Sequence, residues 1–219
     1  MLLAKRDVLR KDMQKHEIEE FLKDKGDYVQ MDHLTRFMKE TLPLDTKKFV
    51  ASILGETYEK RGMNLDAARM YYISATHSAN PLEKSKFFKK EGIAYVKAGQ
   101  FDKGDDALGR ALADVKLNEK VVIQKEILAV YKILAEEYLK KSRLSEAIKA
   151  FEKIRNINIT PEDEKLEIDK KLLSLYERLG RIDQYLSLRK KTDNIKIPER
   201  ATNATAQRYG RSAPKYNKF

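Results

Sequence analysis

Tyrosine recurs four times in one local setting. Tyr58, Tyr95, Tyr138 and Tyr176 stand four residues before Gly62, Gly99, Ser142 and Gly180, and each turn residue is followed by a second amphipathic run. The segments are LGETYEKRGMNLDAARMYY (54–72), EGIAYVKAGQFDKGDDALGRAL (91–112), LAEEYLKKSRLSEAIKAF (134–151) and LLSLYERLGRIDQYLSL (172–188). Self-similarity at this period marks a chain built from stacked supersecondary units. A lone helical hairpin leaves apolar faces uncovered, whereas neighbours in a row bury a continuous seam.

The units read as helices. Apolar residues of KEILAVYKILAEEYLKK (125–141) fall at three- and four-residue spacing: Ile127, Leu128, Tyr131, Leu134, Ala135, Tyr138 and Leu139. Asn80-Pro81-Leu82-Glu83 and Thr160-Pro161-Glu162-Asp163 are helix-start signals. In both, a side-chain oxygen is expected to cap the first amides, proline to take the first helical position, and acid to meet the positive end of the dipole. Only 9 Gly and 5 Pro in 219 residues, with 36% charged residues, favour helices with solvated outer faces over strands.

The pattern resembles the tetratricopeptide repeat. Matching positions are Leu54, Gly55, Tyr58, Ala67 and Tyr71; Phe88, Gly92, Tyr95, Gly99, Phe101 and Ala111; Tyr131, Leu134, Tyr138, Ala147 and Phe151; and Leu172, Tyr176, Gly180 and Ile182. A fainter copy, FLKDKGDY (21–28), places Gly26 and Tyr28 where Gly99 and Phe101 stand. The resemblance implies an all-α, right-handed superhelical array of about five antiparallel hairpins, or about ten helices, over residues 1–191. The tyrosine spacings of 37, 43 and 38 residues exceed the family's 34, so helices are longer or turns looser. Gly104 and Tyr185 replace the small residue expected on the second helix, and Arg189 stands where an aromatic belongs. Tyr95, Tyr138 and Phe151 are expected in the core, and Tyr185, Leu186 and Leu188 at an end that needs a cap.

Chemistry is sparse. With no cysteine, disulfides, thiolate catalysis and cysteine-ligated metals are excluded. His16, His33 and His77 lie far apart, and HEIEE (16–20) offers Glu20 where a metalloprotease motif needs its second histidine. Phosphate loops and nucleophile elbows are missing. The expectation is a non-enzyme with no cofactor, no metal and no small-molecule substrate. The first residues lack the apolar core of a secretory signal and no stretch reaches membrane-spanning length, so an intracellular, cytoplasmic protein without membrane attachment is expected.

Charge points to binding. The net charge of +11 biases partners toward polyanions. Lysine-rich, cysteine-free, helix-heavy composition is also common in hyperthermophiles, so thermal adaptation is a second source of basicity. At positions that line the inner groove in the repeat family stand Lys60, Lys86, Lys89, Lys97, Lys132 and Lys140, mixed with Glu56, Glu59 and Glu136. Where some members clamp a peptide carboxylate with lysine and asparagine, this chain has Ser52, Glu56 and Lys90, so that clamp is not expected.

From Thr192 helical periodicity stops, and 192–219 reads as an extended basic tail. Lys196, Arg200, Arg208, Arg211, Lys215 and Lys218 face only Asp193 and Glu199, interleaved with Tyr209, Tyr216 and Phe219. Ordering such a segment costs about 1–2 kcal/mol per residue, so it is expected to be disordered without a partner. Cations for phosphates and aromatics for stacking suit unpaired RNA. Together, body and tail are similar in character to the archaeal ribosome-dimerisation factors, repeat proteins that join two small ribosomal subunits in hibernation. That resemblance implies a homodimer binding small-subunit rRNA and ribosomal proteins; a tetratricopeptide scaffold that binds a protein or peptide in its groove is the alternative.

Overall fold

The computed structural model describes residues 8–113 and 115–193. These form ten helices and no strand: α1 (Lys15–Lys23), α2 (Asp27–Phe37), α3 (Leu44–Lys60), α4 (Asn64–Thr76), α5 (Pro81–Lys97), α6 (Phe101–Ala113), α7 (Leu117–Lys140), α8 (Leu144–Asn156), α9 (Glu162–Arg178) and α10 (Ile182–Asp193). The chain divides into two compact units, Met1–Thr160 and Pro161–Phe219. The first holds α1 to α8 and the second the α9–α10 hairpin.

The recurring tyrosine marks one turn, built four times. Gly62, Gly99 and Gly180 have φ of 72°, 78° and 66°, and Ser142 has 55°. In each, the next residue's N–H donates to the tyrosine carbonyl: Met63 to Tyr58 and Gln100 to Tyr95 at 2.9 Å, Arg143 to Tyr138 and Arg181 to Tyr176 at 2.8 Å. The turn residue's own N–H donates three positions back, to Glu59, Val96, Leu139 and Glu177. This double bond satisfies carbonyls that a helix end otherwise leaves open, and its left-handed residue favours glycine. The turn joins α3 to α4, α5 to α6, α7 to α8 and α9 to α10.

The fainter copy at 21–28 does not share it. Gly26 has φ of −63° and caps the start of α2, and Tyr28 is 66% exposed where Phe101 is buried. The end of α1 is closed instead by the Gln30 amide, which donates to the Leu22 and Lys25 carbonyls at 2.9 and 2.8 Å.

Helix lengths explain the spacing. α3, α5 and α9 have 17 residues each, whereas α7 has 24, so the longest tyrosine spacing reflects a longer first helix in the third unit. Of the two helix-start signals, the first holds as expected: the Asn80 Oδ1 accepts from Leu82 and Glu83 with Pro81 at the first helical position. At the second, Pro161 takes the cap position, and the Thr160 hydroxyl donates to the Ile154 carbonyl at 2.8 Å. Thr160 is buried there, closing the end of α8 rather than opening α9.

Packing follows the small positions. Ala67 and Ala147 are fully buried on α4 and α8. A Cβ on Gly104 would lie 2.5 Å from Val96 Cγ2, and one on Gly92 2.6 Å from Leu108 Cγ. Gly104 replaces alanine because Val96 fills the space a methyl would need. Tyr138 and Phe151 lie in the core as expected, but Tyr95 is only half-buried, with the Lys103 ammonium 5.8 Å from its ring. Of the three α10 residues expected to need a cap, Leu188 is buried, Tyr185 is half-buried and Leu186 is 49% exposed. Ile182, matched by the repeat pattern, is 57% exposed.

Candidate functional site

The expected groove lysines are placed by α3, α5 and α7, and carboxylates on neighbouring helices take up half of them. Lys60 donates to Asp27 at 2.8 Å, and Arg61 reaches the other oxygen of Asp27 at 2.9 Å. Lys97 donates to Glu59 at 2.7 Å, whose second oxygen accepts from the Tyr71 hydroxyl at 2.8 Å. Lys89 pairs with Glu126. Lys86 and Lys140 make no ion pair among the described residues, and Lys132 is exposed but engaged in an interaction of its own. Lys90 and Glu56, at two of the positions where relatives of the repeat would carry a carboxylate clamp, bond to each other at 2.7 Å.

These pairs run between helices: α2 to α3, α3 to α5, and α5 to α7. Exposed pairs contribute about 0–1 kcal/mol each, so their main effect is to fix the register of successive first helices and to lower the free cationic charge on that face. The Lys60 hydrogen bond holds the Asp27 carboxyl below its ordinary value. Burial opposes ionisation of Glu59, but hydrogen bonds from Lys97 and Tyr71 outweigh it and lower its pKa.

Two polar arrangements escaped the sequence reading. Glu91 on α5 is 2% exposed; its Oε1 accepts from Arg110 of α6 at 3.0 Å and its Oε2 has no partner among the described residues. Burial raises its pKa, opposed by Arg110. The Arg110 guanidinium also lies 4.5 Å from the Phe88 ring and 5.4 Å from Tyr72. Separately, Asp105 on α6 accepts from the Tyr131 hydroxyl at 3.2 Å and pairs with Lys153 of α8. Burial, and then Asp105, push the Tyr131 hydroxyl pKa up.

Those three side chains belong to the lining of a cleft of about 370 Å³ between α6, α7 and α8. Its walls are Leu108, Leu112, Ile127 and Ile157, and its polar lining includes the amides of Gln124, Asn156 and Asn158. The signal for it was the 43-residue spacing, since Gln124 and Ile127 belong to the N-terminal half of the long α7.

His33 packs edge-on against Phe21 at 5.1 Å, His77 Nδ1 lies 2.8 Å from the Ile73 carbonyl, and His16 is exposed. Among the described residues no group of three His, Asp or Glu is placed to hold a metal ion, and no helix is long and apolar enough to cross a membrane. The tail residues Lys196, Arg200, Arg208, Tyr209, Arg211, Lys215, Tyr216, Lys218 and Phe219 lie outside the described residues. Compared with protein-family models, curated proteins and solved structures, the chain gives no match.

Proposed function

We propose that this chain is a non-catalytic adaptor that binds the small ribosomal subunit through its rRNA, and that two copies bridge two subunits in a dormant state. In this reading the hairpins continue as a right-handed superhelix of the tetratricopeptide kind, which serves as a mount for the cationic segment beyond α10. The observation that carries it is the partition of charge. Carboxylates take up Lys60, Lys89, Lys90 and Lys97 on the helical face. Among the described residues Lys86 and Lys140 remain unpaired on that face, and beyond α10 the sequence places six cations against Glu199 alone. Binding by such a surface is dominated by phosphate contacts and counterion release.

Sedimentation of a cell lysate through a gradient, with and without ribonuclease, tests the reading. The protein is expected to travel with small subunits or their dimers and to leave them after ribonuclease. Log affinity for rRNA should fall with log salt by about 0.7 per phosphate neutralised. A flat salt response refutes the mechanism, and light scattering that shows only monomer at high concentration refutes the bridging.

A second reading, a scaffold for a protein or peptide partner, is favoured by Ile133. It is 61% exposed on α7, between Lys132 and Lys140 along the same helix. Removal of residues 193–219 separates the two: peptide binding survives it and ribosome binding does not.

A further inference from the structure

The cleft beside α7 has more order than a packing gap needs. The one carboxylate lining it among the described residues, Asp105, is already satisfied by Tyr131 and Lys153 and so offers little to a cationic ligand. The groups left open are three carboxamides. The side chains of Gln124, half-buried, and of Asn156 and Asn158, both exposed, line the cleft and make no hydrogen bond among the described residues. Gly109, on α6 beside Leu108, also lines the cleft, and no atom lies within 4 Å of where its Cβ would stand.

We infer that this cleft takes an unpaired base of RNA. A carboxamide offers a donor and an acceptor side by side, the pairing that base edges present. Unpaired bases are recognised on those edges once they are splayed out of the stack. The volume of about 370 Å³ falls within the range of small-molecule pockets, with apolar walls for the faces of the ring. Lys120 stands one helical turn before Gln124, and Lys116 is the residue that caps the start of α7. Among the described residues neither ammonium is paired with a carboxylate, which leaves both open to phosphates. The net charge of +11 favours a nucleic acid over an acid-free peptide as occupant. The inference rests on the RNA-binding reading above and adds to it a site that reads base identity, which a cationic tail alone does not.

The test uses the full-length chain and fluorescently labelled single-stranded hexamers of adenylate, cytidylate and uridylate, with anisotropy read over a salt series. Two variants accompany the native protein: Gln124→Ala/Asn156→Ala, and Gly109→Leu, which fills the slot. Replacing an exposed helical glycine with leucine favours the helix, and thermal melts establish that both variants fold. The native chain should prefer one base by about 5-fold or more, as one bidentate edge contact gives. Both variants should lose that preference while keeping the salt slope. Equal affinity of native chain and variants for every hexamer overturns the cleft site and leaves the adaptor reading intact. Failure of the native chain to bind any hexamer or rRNA overturns both. Binding of an uncharged leucine-containing peptide that Gly109→Leu abolishes, with hexamer binding unchanged, assigns the cleft to a protein partner and also overturns the inference.

Discussion

Among the described residues Ser142 is the one non-glycine at a left-handed turn position, with φ of 55°, in a turn that three other hairpins close with glycine. An L-residue there costs roughly 1–2 kcal/mol. Glycine removes that strain but adds about 0.4–1 kcal/mol of chain entropy to the unfolded state. Ser142→Gly should therefore stabilise the first unit by about 0.5–1 kcal/mol, or about 1–4 °C in Tm for a chain of this size. The Ser142 side chain is exposed and makes no hydrogen bond among the described residues, so nothing else is lost. The reverse swap supplies the control. Gly62 and Gly99 have φ of 72° and 78° with no atom within 4 Å of a Cβ. Changing either to alanine tests backbone conformation without steric contact, and should destabilise by about 0.5–1 kcal/mol from the same two terms. Urea and thermal unfolding followed by circular dichroism measure all three variants. If Ser142→Gly is neutral or harmful while the alanine variants melt like the native chain, these positions are not left-handed and the shared turn is refuted.

Phe101 stacks on Tyr131 at 6.3 Å and lies 6.4 Å from Tyr138, tying the start of α6 to α7; Phe101→Ala should cost about 3–5 kcal/mol in denaturant unfolding. Gly104→Ala drives a methyl against Val96 and should cost about 1–3 kcal/mol. A double-mutant cycle with Val96→Ala should show coupling of at least 0.5 kcal/mol, and strict additivity refutes the contact. Glu91 has its pKa raised by burial, so the folded state holds the proton more tightly than the unfolded one. Its favourable contribution is complete below the unfolded pKa and is lost as pH rises through the folded value. Glu91→Gln should therefore gain on the native chain with rising pH, as read from melts across a pH series.

The hairpin architecture was legible because it depends on local rules. A tyrosine, three residues and a glycine encode a helix end whose hydrogen bonds stay within six residues, and the small positions at Ala67 and Ala147 are set by the helix they sit on. In two places where it failed, a group a few residues outside the motif had decided the outcome. Gly26 looks like the other turn glycines, but Gln30 caps the carbonyls that a left-handed glycine would have served. Thr160 looks like a cap for the helix after it, yet the Ile154 carbonyl before it is closer to hand. Tyr95 occupies a core position in the repeat pattern and remains half-buried.

The candidate site was less legible, for an electrostatic reason. A lysine at a groove position is a free cation only if no carboxylate reaches it, and the carboxylates that reach Lys60, Lys89 and Lys97 lie 33, 37 and 38 residues away in the chain. The 38 residues between Glu59 and Lys97 lie close to the 37 between Tyr58 and Tyr95, because α5 faces α3 one unit on, whereas the 37 between Lys89 and Glu126 fall short of the 43 between Tyr95 and Tyr138. Opposite charges on successive helices, in either order, therefore serve as a register device, and charge counted along the sequence overstates what that face can offer a polyanion. The consequence bears on function: Lys60→Ala or Lys97→Ala should change stability by no more than about 1 kcal/mol and leave rRNA affinity nearly unchanged, whereas Lys86→Ala/Lys140→Ala should weaken it and reduce the salt slope. Equal losses from both sets would mean that the cross-helix pairs open on binding, and the partition of charge would no longer support the adaptor reading.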